Sequence, residues 1–176
     1  QEVENAFNLQ LTEADHFKIL ARKTGALIVL SCSLGAELAR APPPVAAALA
    51  DYGRHLGLAF QLADDALDLV GSPEQMGKLA GTDLRGGVFS FPILRVLGRR
   101  DAAAARLSKL LRQIELNETD VCEIVAIVQE TGAVGEAQTM AREFSARACG
   151  ALASLPAGAA RTSFERLAAY AVTRSR

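Results

Sequence analysis

The sequence contains no tryptophan, only two histidines and three cysteines, and its aromatic residues amount to 5%. Cys32, Cys122 and Cys149 are odd in number and far apart, which excludes a disulfide framework or a CxxC metal site and predicts a reducing, cytoplasmic compartment. The uncharged run of residues 25–36 is shorter than the ~20 apolar residues that cross a bilayer, and no signal-peptide pattern is present.

Charge of either sign is not in excess, because the net charge is −1 and both signs are interspersed. A basic nucleic-acid-binding surface and an acidic tail are therefore excluded. Hydrophobic residues make up 50% of the chain, 33 residues are alanine, and no sustained Val/Ile/Thr alternation occurs. This composition favours helices that pack closely through small side chains over a β-sheet.

Helical periodicity predicts an all-α bundle of six to eight helices, with the long helices first and the short ones last. The first helix is expected to begin after Thr12, with Thr12 and Asp15 as a capping-box-like start, and to end before Pro42. A second helix is expected over residues 45–69, followed by a glycine-rich loop at 77–87. Further helices are expected from Pro92 and near 101–116, 118–131, 134–153 and 159–173, with breaks at Asn117, Gly132 and Pro156.

Three carboxylates lie close together near the end of the second predicted helix. Asp64 and Asp68 are one turn apart on one face, and Asp65 lies ~100° around from Asp64. The carboxylates repel one another, and the helix dipole disfavours negative charge at a C-terminal end. A bound hard divalent cation would explain the cluster, and Mg²⁺ is the natural candidate because it also binds phosphate oxygens. The alternative is a solvated acidic helix end with nothing bound.

Other catalytic patterns fit the sequence less well. A di-iron bundle needs Glu-x-x-His pairs, and neither His16 nor His55 belongs to one, so both are expected to be ordinary partly buried or surface residues. The glycines around Lys78 lack P-loop spacing. Lys78 could fold back toward the carboxylates and neutralise a diphosphate together with Mg²⁺, or it could be a surface lysine in a turn. Lys23 could likewise meet an anion or snorkel at the helix surface.

Taken together, the motifs resemble those of the trans-isoprenyl (polyprenyl) diphosphate synthases. Lys23-Thr24-Gly25-Ala26-Leu27 is similar to the Lys-Thr helix motif of that family. Phe60-Gln61…Asp64-Asp65…Asp68 is similar to its second aspartate-rich motif, and Gly77-Lys78…Asp83-Leu84 to the lysine loop that follows. The order and the spacing agree. The resemblance implies the all-α helical bundle of the isoprenoid synthases and a Mg²⁺-dependent condensation of an allylic diphosphate with isopentenyl diphosphate.

The resemblance also implies roles for the polar residues of the motifs. Asp64 and Asp68 would hold Mg²⁺ on the allylic diphosphate, with Asp65 in support through water or from further out. Lys23 and Lys78 would contact the same diphosphate.

The remaining motif residues would surround the reacting carbons. Thr24 and Gln61 would direct polar groups toward the allylic carbocation, and Phe60 would pack near the isopentenyl group. One departure is Val88, which occupies a position where many members of the family carry another lysine.

The first aspartate-rich motif of the family has no counterpart here, because no other Asp-Asp-x-x-Asp occurs. Residues 1–176 are therefore expected to form the C-terminal part of a synthase domain, whether as a truncated or cleaved product, one chain of a split enzyme or part of a longer protein. They are expected to be inactive alone. The expected partners are a second copy in a homodimer, an N-terminal half or a second subunit, with transient membrane contact for product release. A non-catalytic partner subunit of a heteromeric synthase is the alternative function.

Overall fold

The computed structural model describes residues 5–70 and 82–174, and every regular element in that part of the chain is helical. The helices are α1 (Glu13–Leu38), α2 (Pro43–Leu67), α3 (Phe91–Leu97), α4 (Ala102–Leu111), α5 (Glu118–Glu130), α6 (Ala133–Ala151) and α7 (Ala159–Thr173). A helical turn at 82–85 and a 3-10 turn over Leu152–Ser154 supplement them. The all-α prediction is confirmed.

Local capping sets several helix ends where the sequence predicted them. The N–H of Asp15 donates to Thr12 Oγ1 at 3.1 Å, and the Thr12 hydroxyl donates to Asp15 Oδ2 at 2.7 Å. Asn117 and Asp120 form a reciprocal capping box at the start of α5, with both bonds 3.0 Å long. Because such caps satisfy otherwise unpaired N–H groups with nearby side chains, they are readable from short sequence windows.

The ends of two helices differ from the prediction. Helix α4 ends at Leu111, not near residue 116, and Ile114 beyond it is 99% exposed. Helix α2 ends at Leu67, two residues before the predicted boundary. The stop signal predicted for α2, Gly71-Ser72-Pro73, lies beyond its observed end, and no proline or glycine lies between Leu111 and Asn117. The periodic pattern therefore ran on past the last regular turn in both helices. Lys78 and most of the predicted glycine-rich loop lie outside the described residues.

The chain divides into two compact units. The first comprises Gln1–His16 and Asp64–Ala137, and the second comprises Phe17–Ala63 and Gln138–Arg176. In the first unit, α3, α4 and α5 contribute most of an aliphatic core that also includes Leu69. The second unit has its own core of buried residues around Tyr52 and Leu152.

An ion-pair network holds helix ends together in the first unit. Arg95 of α3 contacts Glu13 at 3.0 Å and Glu136 at 2.5 Å, and Arg99 contacts Glu136 at 2.7 Å. The hydrogen bond from Arg95 lowers the pKa of Glu136. The network therefore joins the start of α1, the helix α3 and the start of α6.

Glycines allow α1 and α2 to approach closely in the second unit. A Cβ atom on Gly57 would lie 2.7 Å from the Cα atom of Gly25. One turn earlier, a Cβ atom on Gly53 would lie 3.0 Å from the Cα atom of Val29. Only the absence of a side chain at these two positions permits backbone contact along this face.

Replacement of Gly57 by alanine is expected to destabilise the protein, because its methyl group would force α1 and α2 apart. Overpacking of this kind typically costs ~1–3 kcal/mol, which should lower the urea midpoint of unfolding. Gly150→Ala in α6 is the matched control, since nothing lies within 4 Å of the added methyl group. The control should unfold at the same or a higher urea concentration. Equal midpoints for wild type and Gly57→Ala would contradict the close approach.

Helix α1 is long and apolar enough, by length and composition, to cross a membrane. The uncharged run of residues 25–36 did not indicate this, because the apolar character continues past isolated charges. The core helices of soluble proteins satisfy the same criteria of length and composition. These criteria therefore do not assign α1 to a bilayer. Only 17% of its apolar window is buried, so α1 keeps an apolar face outside both cores.

Candidate functional site

The Lys-Thr motif lies in an irregular part of α1. Residues Ala21–Gly25 form a π-helical segment, in which Lys23 is exposed, Thr24 is half-buried and Gly25 is buried. Such π segments are rare and occur frequently at functional sites. Because Gly25 packs against Gly57, the segment lies alongside α2, one turn before the second predicted motif.

One face of α2 carries the polar residues of that second motif. Gln61, Asp64 and Asp68 occupy positions i, i+3 and i+7, which is the spacing of a single helical stripe. The N–H of Asp68 donates to the carbonyl oxygen of Asp64 at 3.0 Å, so the helical register continues past Leu67. Gln61 is buried, whereas Asp64 and Asp68 are half-buried. The stripe thus runs from a buried amide to two accessible carboxylates.

Asp65 faces a different set of partners within the first unit. Its Oδ2 atom lies 3.1 Å from Nε2 of His16 and accepts the N–H of Phe91 at 2.8 Å. His16 is therefore buried and paired, not the ordinary residue that the sequence indicated. One oxygen of Asp65 is already committed to these two contacts.

The carboxylates of α2 provide part of the ligand set that a divalent cation needs. Among the described residues, no group of three His, Cys, Asp or Glu side chains is placed to hold a metal ion. Asp64 and Asp68 supply oxygen ligands of the kind that Mg²⁺ prefers, and they lie one turn apart. They fit one side of a cation site whose remaining ligands come from water, substrate or other residues. The assignment of Asp64, Asp65 and Asp68 to a metal stays a prediction.

Phe60, predicted to pack near the isopentenyl group, is covered by an arginine. The guanidinium of Arg174 lies 3.9 Å from the centroid of the Phe60 ring, and its Nη2 donates to the Phe60 carbonyl oxygen at 3.3 Å. This contact places the end of the described chain against the residue that precedes Gln61. The role predicted for Phe60 is untested by these contacts.

An apolar groove of about 770 Å³ adjoins Phe60 and Arg174 in the second unit. Residues of α1, α2 and α7 line it, including Cys32 and Tyr52. Burial raises the pKa of the Cys32 thiol and of the Tyr52 hydroxyl, which favours their neutral forms. The Tyr52 hydroxyl donates to the carbonyl oxygen of Phe164 at 2.8 Å. Arg174 is therefore the charged group in the lining of this groove.

An all-α bundle with this Lys-Thr segment and this aspartate stripe defines a protein of the isoprenoid synthase class. The chain belongs to the family described as polyprenyl synthetase, which it matches over residues 1–128. It is 33% identical over 175 residues to heptaprenyl diphosphate synthase component 2 of Geobacillus stearothermophilus, covering 97% of this chain and 52% of that protein. The chain thus spans about half the length of the curated relatives that it matches.

Solved structures share the fold at similar identity. Geranylgeranyl pyrophosphate synthase of Lactobacillus brevis superposes with a TM-score of 0.91 at 32% identity, covering 98% of this chain and 53% of that one. A polyprenyl synthase of Caulobacter crescentus, solved with calcium and isoprenyl diphosphate, gives a TM-score of 0.88 at 34% identity, covering 99% and 54%. The isoprenoid synthase fold implied by the motifs is confirmed.

Sequence reasoning found the motifs but missed the residues that support them. The pairing of His16 with Asp65 joins positions 49 apart, and Arg174 reaches Phe60 across 114 positions. No local sequence pattern predicts either contact. The glycine spacing at Gly53 and Gly57 is the one signal that could have indicated a close helix crossing.

Proposed function

We propose that the chain carries the allylic-diphosphate side of a prenyltransferase site. The reaction is the Mg²⁺-dependent condensation of an allylic diphosphate with isopentenyl diphosphate to give a longer trans-polyprenyl diphosphate. The single observation that carries the proposal is the stripe of Gln61, Asp64 and Asp68 on α2, in a chain that belongs to the polyprenyl synthetase family.

Charged residues of this chain bind the diphosphate in the proposal. Asp64 and Asp68 hold Mg²⁺, which when bound neutralises charge on the leaving diphosphate. Lys23 extends from the π segment to a diphosphate oxygen, and Lys78 is assigned the same task from the sequence. The accessibility of Asp64, Asp68 and Lys23 supports these assignments, because a cation and a diphosphate reach them from solvent.

Uncharged residues surround the hydrocarbon groups of the two substrates in the proposal and exclude water from them. Gln61 and Thr24 turn oxygen atoms toward the allylic carbon from which the diphosphate departs, and Phe60 bounds the isopentenyl group. The burial of Gln61 supports this, since a buried amide dipole acts more strongly than one in water.

A second candidate function is that of a non-catalytic partner subunit. Leu27, Leu30, Leu34 and Leu38 form one stripe on α1 and are between 48% and 77% exposed. An apolar stripe of this kind typically marks a protein interface. The Geobacillus relative is itself named as a component of its synthase. In this alternative the chain stabilises another polypeptide, and its aspartates do not contribute to turnover.

Lys23→Ala tests the diphosphate assignment directly. We expect the mutant to bind inorganic diphosphate in the presence of Mg²⁺ about tenfold more weakly, because one charged hydrogen bond is lost. Lys18→Ala is the matched control, since Lys18 is also an exposed lysine of α1 but lies outside the π segment. The control should bind within about twofold of wild type. Isothermal titration calorimetry measures all three proteins.

Equal affinity of wild type and Lys23→Ala would remove the Lys-Thr segment from the proposed site. The partner-subunit alternative makes a separate prediction for a complex with a full-length synthase. There, Lys23→Ala and Asp64→Ala chains would both support wild-type turnover. Reduced turnover in such a complex would favour the catalytic proposal.

A further inference from the structure

A buried histidine and a backbone N–H share one oxygen of the second aspartate in the motif. We propose that His16 is a positioning residue which, through Asp65, sets the orientation of Asp64 and Asp68. The inference rests on the proposed function, because it concerns the carboxylates that are assigned to the cation. It gives His16 and Asp65 a supporting role distinct from direct binding.

The geometry of the pair is that of a partly buried hydrogen bond. Nε2 of His16 lies 3.1 Å from Oδ2 of Asp65, and the two side chains are 8% and 15% exposed. We assign the donor role in this bond to Nε2 of His16, because the oxygen of a carboxylate is an acceptor. The His16 ring also packs near Phe91, with 6.4 Å between ring centroids. Phe91 and Asp65 therefore restrict the movement of the imidazole ring.

The same oxygen of Asp65 fixes the segment that begins α3. The N–H of Phe91 donates to Asp65 Oδ2 at 2.8 Å, and the preceding residue, Ser90, provides no side-chain cap. Phe91 is fully buried, so water cannot replace this acceptor. Asp65 thus joins the end of α2 to the starts of α1 and α3 through one atom.

A second contact holds the chain two residues beyond the end of α2 at Leu67. Nε2 of Gln129 donates to the carbonyl oxygen of Leu69 at 2.6 Å. Asp65 and Leu69 are one turn apart, whereas Asp64 and Asp68 precede them by one position each. Two anchors on a face ~100° around the helix therefore restrict the rotation of the two carboxylates.

Rotation of this last turn would move Asp64 and Asp68 together. Both carboxylates must meet one cation, and a displacement of ~1 Å at a reacting centre can cost a hundredfold in function. His16 opposes such a rotation because it holds Asp65 from α1. Loss of the His16 side chain should therefore weaken cation binding, although His16 does not contact the cation or the diphosphate.

Two substitutions of His16 separate positioning from packing. His16→Phe keeps an aromatic ring and removes the N–H donor, whereas His16→Gln keeps an N–H donor on a side chain of similar length. We expect His16→Phe to weaken Mg²⁺-dependent binding of inorganic diphosphate between about tenfold and a hundredfold. His16→Gln should recover most of that loss. Calorimetry measures affinity, and urea unfolding of the same samples measures stability.

The outcomes distinguish the inference from its alternatives. Unchanged affinity in His16→Phe, with or without a lower urea midpoint, would mean that the histidine is only structural. Equal loss in both variants would overturn the hydrogen-bond basis. In an Asp65→Ala background, His16→Phe should have no additional effect on affinity, and an additive effect would contradict action through Asp65. Failure of wild type itself to bind diphosphate with Mg²⁺ would overturn the proposed function and this inference together.

Discussion

Asp64→Ala is expected to abolish measurable Mg²⁺-dependent diphosphate binding. Asp64 is half-buried in the last turn of α2 and shares its stripe with Asp68, so its removal leaves Asp68 as the one carboxylate of the stripe. Loss of a side chain that only supports a metal ligand typically costs ~10–100-fold in metal affinity, so loss of a ligand should cost about a hundredfold or more. Titration calorimetry with inorganic diphosphate, with and without Mg²⁺, measures the effect.

The same substitution should raise the melting temperature of the ligand-free protein. It removes one of three clustered negative charges from the C-terminal end of a helix, where the helix dipole disfavours them. Asp51→Ala is the matched control, because Asp51 is an exposed aspartate of the same helix that pairs with Arg54. That variant should retain diphosphate affinity. Retained affinity in Asp64→Ala would remove the aspartate stripe from the proposed site.

The 176 residues by themselves are expected to show no prenyltransferase turnover. The family resemblance requires a first aspartate-rich motif, and the sequence contains no second Asp-Asp-x-x-Asp. With cation ligands from one side only, the departing diphosphate lacks most of its charge neutralisation, so the rate should fall more than about a thousandfold. The assay supplies an allylic diphosphate, labelled isopentenyl diphosphate and Mg²⁺, and extracts the product.

Addition of the missing half provides the positive control for that experiment. The N-terminal half of a full-length relative, such as the Lactobacillus brevis synthase, should restore turnover when it is added as a separate chain or joined in cis. A complementing half with its paired aspartates replaced is the control and should restore none. Steady turnover by the 176 residues alone would refute the proposal and require cation ligands beyond Asp64 and Asp68.

The long helices expose apolar faces that another polypeptide could cover. The leucine stripe of α1 is exposed, and so is part of the groove beside α7. A chain that spans about half the length of its relatives would bury such faces against the other half or a second copy. The proposed complementation would test function and association in one preparation.

Much of the fold was predictable because its determinants are local. The start of α1 at Glu13 follows from the side chains of Thr12 and Asp15, and the start of α5 follows from Asn117 and Asp120. Helical spacing alone likewise places Asp64 and Asp68 on one face of α2. Helix ends without a cap, as at Leu111, were misjudged because a periodic pattern does not record where tertiary packing stops.

The sequence by itself determined the all-α class, the family and the two motif segments, since helix periodicity, caps and motif spacing act over a few residues. Only the tertiary structure decided that Lys23 lies in a π segment, that Gly25 meets Gly57, and that Asp65 joins His16 to Phe91. These features depend on contacts between residues 26 to 49 positions apart, or on backbone geometry that adapts to them. Such contacts arise when helices pack, and no short stretch of sequence specifies them.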